Sequence, residues 1–585
     1  MIRFVLSVWL SLVVVALAGL PPRVVQVSPA ANAIQADWTS PLLIQFDQPL
    51  DPASISSRSV RVFGRWSGPH ALQLALADSQ KSLLIQHTRP FFAGELITVF
   101  LSRSIRSQTG DSLGHGFAYQ FWSRSLPGSM DLIKIGQRSV RRPGEGPIQT
   151  YGVYAGDLDG DGDSDIAAPN EISHDVRVFL NPGNGAYDSL TVFPLPGGAR
   201  PSTNEGADFD DDGHVDLAVG NSAGNLVSVL LGDGQGGFLP ETTYPVGRGV
   251  RGLAILDLNG DGLADIATAN RDSSNVSLLL NLGNSTFGPA VHLETGGQQE
   301  TACVSGDFNE DGILDLAVGN RGSEDVVLLL GDGQGGLQVY SQQNAGGSPW
   351  MVTAGDVNGD GHLDVLSANA NEANASVLLG DGQGNLSNAV VYPVGSFPLA
   401  IDVGDLDGDG DLDLVVSSFS ARNWSVYEND GSGQFVNRRI LTAQQAGSCA
   451  VLHDFDNDGD LDMTGIDEIA DLLLFFQNQG PVSVPLTPEP ASVSDFQLEP
   501  NFPNPFNPET HFSVTMVRRG RLHLDVLDSG GRLVQRIADR VFPPGRYRFS
   551  WDGKEMNGQP APSGVYFLRA RSEGNVQVRQ MVLVR

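Results

Sequence analysis

The sequence predicts an all-β protein in which short strands repeat along most of the chain, with a small β-sandwich at each end. Three observations lead there. Of 585 residues, 70 are Gly and 34 are Pro, which is turn-rich, while long amphipathic helical stretches are missing. An acidic nonapeptide recurs seven times at a nearly fixed interval. The segments flanking those repeats alternate apolar and polar residues with a period of two. The length alone suggests about three or four domains.

Residues 1–18 read as a secretory signal peptide. MIRFVLSVWLSLVVVALAG carries Arg3, an apolar run, and Ala16-Leu17-Ala18 as an A-x-A cleavage site. A membrane-spanning helix needs about 20 apolar residues, more than this run supplies. No Cys follows it, which argues against a lipoprotein anchor. The mature chain is therefore expected to have no transmembrane segment. It should be secreted, or held at a surface by other means.

Charge is uneven along the chain. The formal total is −32, yet residues 19–128 carry +3 and residues 496–585 carry +5, which with Arg3 leaves −41 on the middle segment. Such a surface repels phosphates and excludes nucleic acid as a partner. The two cysteines, Cys303 and Cys449, do not make a disulfide scaffold and read as buried apolar residues. Their oxidation state stays open.

Residues 19–128 hold VVQVSPAANAIQADWTSPLLIQFDQPLDPASI and FFAGELITVFLSRSIRSQTGDSLG. Alternating apolar positions with Pro, Asp and Gly at the joints predict a β-sandwich. The segment resembles a bacterial Ig-like domain, which implies a structural role as spacer or stalk.

Residues 129–483 contain the repeats. DLDGDGDSD at Asp157 is followed by DFDDDGHVD, DLNGDGLAD, DFNEDGILD, DVNGDGHLD, DLDGDGDLD and DFDNDGDLD, beginning at Asp208, Asp257, Asp307, Asp356, Asp405 and Asp454. Successive starts lie 49 to 51 residues apart, and the seven loops hold 30 of the 68 acidic residues. Two unit charges about 4 Å apart interact by roughly 4 kcal/mol at an effective dielectric of 20, so such loops call for a counter-charge.

The shared form is D-x-[DN]-x-[DN]-G-x-x-D. Calcium takes about six to eight hard oxygens, and alternating side chains with a Gly turn can converge to supply them. The expected ligands are Asp157, Asp159, Asp161 and Asp165; Asp208, Asp210, Asp212 and Asp216; Asp257, Asn259, Asp261 and Asp265; and Asp307, Asn309, Asp311 and Asp315. In the last three loops they are Asp356, Asn358, Asp360 and Asp364; Asp405, Asp407, Asp409 and Asp413; and Asp454, Asp456, Asp458 and Asp462. The seventh position varies, which suits a backbone carbonyl ligand and leaves His214 and His362 out of the set. One copy would pass for a solvated turn; seven copies with fixed oxygens point to up to seven structural Ca2+ ions. An EF-hand would need Glu at position 12 and flanking helices. Zinc and copper would want imidazole or thiolate.

Around each loop come four apolar stretches, as in LAIDVGD, DLAVGN, VSVLLGDGQGGF and TTYPVG, and four short strands per unit describe a propeller blade. The seventh unit stops after LLLFFQ, so MDLIKIGQRSV (130–140) is expected to supply its fourth strand. The predicted fold is a seven-bladed β-propeller flanked by two Ig-like β-sandwich domains. These units resemble FG-GAP (VCBS) repeats, as in the integrin α-subunit. The resemblance implies calcium in the loop between the first and second strands of a blade. Integrins carry the motif in only some blades, whereas all seven units carry it here.

PVSVPLTPEPASVSD ends the repeats, and residues 484–495 read as a Pro-rich linker. Residues 496–585 alternate again and predict a second sandwich. NPFNP, the WDG turn, SGVYF and the basic-apolar end resemble the C-terminal sorting domain of the type IX secretion system. That implies passage across the outer membrane with the type IX machinery as partner, then surface attachment or release.

No catalytic constellation emerges. Gly220–Gly224 fits G-x-S-x-G but joins two strands rather than a strand and a helix. GDGQGG at 232–237 and 331–336 reads as a hairpin turn, since no helix follows to receive a pyrophosphate. Asn170, Asn221, Asn270, Asn320 and Asn369 should cap the turn after the second strand. The face opposite the acidic loops is left for a ligand, with Arg251, Arg271, Arg321, Trp350, Phe397 and Trp424 as candidates, since Arg and exposed aromatics suit sugars or protein hot spots. The chain is expected to be non-enzymatic, binding extracellular glycans or proteins. A polysaccharide lyase-like enzyme and a purely structural envelope protein are the alternatives.

Overall fold

The computed structural model describes residues 20–196, 198–480, 496–498, 501, 504–528, 532–572 and 575–584. The expected signal segment 1–18 and the linker 484–495 lie outside the described residues. Among the described residues, regular structure is strand throughout, apart from one 3-10 turn at Pro52–Ser54.

The N-terminal domain packs two four-stranded antiparallel sheets. One orders Val24–Ser28, Leu42–Phe46, Ser82–His87 and Leu72–Ala77; the other orders Gly68–Pro69, Val60–Gly64, Leu96–Leu101 and Phe117–Trp122. Alternation sets the register: Val60 and Val62 point into the core with Leu42, Ile44, Ile85, Val99 and Phe121, while Arg61 points away. Burying each such apolar side chain stabilises by about 1.5–3 kcal/mol.

Seven four-stranded antiparallel sheets follow, one per acidic loop. Their first strands are Tyr154–Gly156, Pro201–Ala207, Val250–Leu256, Glu300–Gly306, Pro349–Gly355, Ile401–Gly404 and Gly447–His453. Their second strands are Asp165–Asn170, Asp216–Asn221, Asp265–Asn270, Asp315–Asn320, Asp364–Asn369, Asp413–Ser418 and Asp462–Asp467. Every second strand is buried along its whole length, because neighbouring sheets cover both its faces. Fourth strands such as Thr242–Pro245 are largely wet. The strand expected over 130–140 is Ile133–Ser139, and it completes the seventh sheet by pairing with Leu472–Gln477, Leu474 opposite Gln137. Distant ends of the repeat region thus share one sheet.

The C-terminal domain is a sandwich of a three-stranded and a four-stranded sheet around Phe506, Phe512, Trp551 and Tyr566. Its Val582 forms a small apolar cluster with Leu43 and Leu84 of the N-terminal domain.

The N-terminal domain was expected as a spacer. Instead it lies across the acidic-loop side of the repeats. Trp66 shares a buried cluster with Leu452, Leu461 and Met463, and Trp122 shares one with Val357 and Leu412. Between this domain and the first strands lies a cavity of about 710 Å3, lined among others by Arg65, Trp66, Glu205, Arg251, Trp350, Cys303 and Cys449. Both cysteines are free thiols, and burial pushes both thiol pKa values up, that of Cys449 to about 12.

Candidate metal centres and the opposite face

Each acidic loop joins a first strand to a second strand, and glycine sets its turn. Gly162, Gly213, Gly262, Gly312, Gly361, Gly410 and Gly459, all at the sixth position, have φ between 82° and 102°, a region that side-chain-bearing residues avoid. In six loops the amide of this glycine donates to the first-position carboxylate, for example Gly262 to Asp257 at 2.7 Å and Gly361 to Asp356 at 2.8 Å.

The ninth-position aspartate ties the loop to the rest of its sheet. Asp165 accepts from Leu158 N at 3.0 Å and from Asn181 N at 2.7 Å, one bond on each oxygen. Asp265 does the same with Leu258 and Asn281, and Asp413 with Leu406 and Asn429. All seven ninth-position side chains are buried.

In four loops the first, third and ninth carboxylates converge, with ligand atoms within 4.8 Å of one another. These are Asp157, Asp159 and Asp165; Asp208, Asp210 and Asp216; Asp405, Asp407 and Asp413; and Asp454, Asp456 and Asp462. The other three loops have Asn259, Asn309 and Asn358 at the third position and so lack the third carboxylate. The fifth-position aspartates fall outside these groups. Their carboxylates accept from the amide two residues on, as Asp212 does from His214 and Asp261 from Leu263, a bond that the third-position Asp159 and Asp407 also make. No His belongs to any group among the described residues.

Electrostatics favour a cation at these points. Burial, reinforced by neighbouring carboxylates, pushes Asp165, Asp216, Asp315 and Asp413 up to about 8, and Asp307, Asp405 and Asp454 up to about 7. One oxygen each of Asp157, Asp210, Asp405 and Asp456 is buried with no hydrogen-bond partner. Asp157 and Asp405 are only 3% and 2% exposed. Orphaned, buried carboxylate oxygens beside two further carboxylates are the donor set a hard divalent cation needs. These Asp-rich groups could hold metal ions.

Comparison with known proteins places the loops in context. The FG-GAP-like repeat model matches 157–219, 208–268, 257–318, 307–367, 356–416 and 405–463, which together cover more than half of the chain. The chain belongs to the FG-GAP-like repeat family. A bacterial Ig-like domain model matches 19–123, and the FlgD Ig-like domain model matches 513–575. No curated protein matches the chain. Among solved structures, BBS1N in complex with ARL6DN is 12% identical over 60% of this chain and 98% of its own, with a TM-score of 0.43. An Agrocybe aegerita lectin described as recognising non-reducing terminal N-acetylglucosamine is 17% identical over 68% of this chain and 94% of its own, with a TM-score of 0.36.

The other end of the FG-GAP repeats, where first strands begin and second strands finish, gathers four of the six expected ligand-face residues. Arg251 lies 5.1 Å from the Tyr151 ring centroid and ion-pairs with Glu171 at 2.9 Å. Trp350 donates its indole N–H to the Tyr151 hydroxyl at 3.0 Å. Arg321 sits over the Trp350 ring at 4.9 Å, and Phe397 packs beside that ring at 5.9 Å. Arg271 instead pairs with its neighbour Asp272. Trp424 is a correction: it is 0% exposed, packs on Phe476 and donates to Cys449 O, because its strand turns that position into the space between two sheets.

Sequence reasoning missed Tyr151, Glu171 and Glu468 at this end. Burial pushes the Glu468 carboxyl up to about 7, and Gln149 donates to it at 2.8 Å. A signal existed, since the residue after the second strand is Glu in the first and seventh repeats but Ser222, Arg271, Arg321, Ala370 and Phe419 in the others. Four of the five recurring asparagines cap the turn as expected, while Asn221 reaches Ser228 in the third strand. Asn320 Nδ2 donates across the turn to Asp325 at 2.7 Å, and Asn369 to Asn374 at 2.7 Å.

Proposed function

We propose that this is an exported, calcium-stabilised seven-bladed β-propeller that binds an extracellular glycan or protein without catalysis. Support for a closed propeller comes from strand neighbours. First strands of successive repeats lie side by side, that of the seventh repeat lies beside that of the first, and Ile133–Ser139 joins the two ends. Calcium is the favoured cation because the donors are carboxylate, amide and carbonyl oxygens arranged around a glycine turn.

The observation carrying the binding role is the Tyr151–Arg251–Trp350–Arg321–Phe397 cluster at the end away from the acidic loops. Aromatic faces edged by guanidinium groups suit sugar stacking or a protein hot spot. Burial pushes the Tyr151 hydroxyl up to about 12, opposite to the tuning that a catalytic base requires. A glycan array in calcium tests the reading, with Trp350→Ala and Arg321→Ala as controls. Loss of a hit in both variants supports it; hits that survive both place binding elsewhere, and uronide release from a hit would replace binding with lyase chemistry. The C-terminal domain is proposed as a type IX sorting domain, and deleting it should abolish surface display while leaving the repeats folded.

A further inference from the structure

The N-terminal domain touches every one of the seven acidic loops. Four are gripped through backbone carbonyls: Arg103 N donates to Gly260 O, Ala118 N to Gly312 O and Leu126 N to Gly459 O, each at 2.7 Å, and Asn32 Nδ2 to Gly361 O at 2.8 Å. In the first loop Asp157 N donates to Trp66 O at 2.7 Å while Arg89 ion-pairs with the Asp157 carboxylate. In the second, Arg61 makes a two-pronged pair with Asp211 at 2.8 and 2.9 Å. In the sixth, Gln35 donates to Asp405 Oδ2 at 2.8 Å.

The apolar contacts follow the same plan. Trp66 clusters with Leu461, Phe100 with Leu258 and Leu314, and Trp122 with Val357 and Leu412. Each of those partners is the second or eighth residue of an acidic loop. The docking surface is therefore built from the loops themselves, and its shape is the shape of the loops.

We propose that divalent cations in the loops latch the N-terminal domain over the cavity, so that cation removal releases the domain and opens that end. The inference rests on the reading that the loops bind calcium. A cation draws two or three carboxylates of a loop to one point, with the Asn259, Asn309 or Asn358 amide where one is replaced, and so fixes the carbonyls that the domain grips. Without it those carboxylates repel one another. One effect opposes release, since Arg61 and Arg89 would be attracted more strongly to bare acidic loops. They act on two loops, however, whereas four of the others are held through neutral carbonyls and one through a neutral amide. Loop geometry should win. The orphaned oxygens of Asp157 and Asp405 mark where loop and domain meet, since each carboxylate is held by the domain through Oδ2 and leaves Oδ1 for the cation.

The test uses the full chain and its own reporters, because Cys303 and Cys449 are its only cysteines and both line the cavity. Calcium binding is measured by calorimetry, domain separation by small-angle scattering, and thiol exposure by reaction with a small disulfide reagent. In calcium the chain should be compact and the thiols slow. In chelator, at a temperature where circular dichroism shows it folded, the radius of gyration should rise and thiol reaction should quicken at least tenfold. The double variant Q35E/R61E sets carboxylates against Asp405 and Asp211, and it should give both changes in calcium without altering the circular dichroism. It shows whether the domain is held through the loops even if the chelated chain unfolds, and a variant that stays compact with slow thiols overturns the latch. Calcium binding with unchanged scattering and thiol rates overturns the latch and leaves the calcium reading intact. Absence of calcium binding overturns both.

Discussion

Asp216 accepts a hydrogen bond from the amide of Gly232, sixteen residues further on, at 2.7 Å, while its other oxygen accepts from Phe209 at 2.7 Å. The same pair of hydrogen bonds recurs at all seven ninth-position aspartates, from Asp165 to Asp462. This residue is thus a strap, and in four loops also one of the carboxylates that could hold a cation. It joins the acidic loop to the turn that leaves the third strand.

Removing one strap should therefore cost stability even in excess calcium. Asp216→Ala deletes two charge-assisted bonds and leaves two buried amides without an acceptor, a loss of about 3–5 kcal/mol. Asp216→Asn keeps one acceptor oxygen and should cost about half as much. Urea denaturation of the three proteins in saturating calcium measures the order; an Ala variant as stable as the parent would refute the strap.

Chelation should lower the thermal midpoint by about 10 °C or more. Each site occupied at a hundredfold excess over its Kd contributes about 2.7 kcal/mol, and 1 kcal/mol moves the midpoint by about 2–4 °C in a large domain. Scanning calorimetry with and without chelator reads this directly. An unchanged melt would mean that the loops hold their shape without cations.

Much of this architecture was legible in the chain. The interval between acidic loops gave the number of sheets, and the missing fourth strand after LLLFFQ pointed to Ile133–Ser139. Both follow from local pattern and from the need to pair a strand edge. The placement of the N-terminal domain was not legible, because its docking runs through backbone amides of Arg103, Ala118 and Leu126, which carry no sequence signature. Trp424 was misplaced for a related reason. It stands one residue into a third strand, and the pleat alone decides whether that position faces solvent or the neighbouring sheet. The fifth-position aspartates looked equivalent to the others by spacing. In the fold one oxygen of each caps the following turn while the converging groups form from the first, third and ninth positions, a difference in direction that spacing does not resolve.

Two classes of cation site should be measurable. Four loops bring three carboxylates together, while Asn259, Asn309 and Asn358 replace one of them with a neutral amide in the remaining three. Fewer charges weaken calcium binding. Calorimetric titration should resolve about four tighter and three weaker sites, and Asn259→Asp should move one site from the weaker to the tighter class. A single class unaffected by that substitution would show that ligand charge does not set the affinities.

Glu205 gives the cleanest pH dependence, because it lines the cavity and belongs to none of the converging carboxylate groups. Burial pushes its carboxyl from an ordinary 4.5 up to about 7, Arg65 pulling the other way and Asp402 adding to the rise. Arg65 is itself held by Asp402 at 3.0 Å, which leaves Glu205 without full compensation. The folded chain thus binds this proton more tightly than the unfolded chain does. The resulting stability is full below about 4.5 and is lost as pH rises through about 7. Glu205→Gln fixes the neutral form, so it should match the parent at pH 4 and exceed it at pH 8 by on the order of 1–2 kcal/mol, after allowance for water in the cavity. Urea denaturation of both proteins in calcium at the two pH values checks it. A variant less stable than the parent at pH 8 would mean that Glu205 is ionised and does structural work as a partner of Arg65.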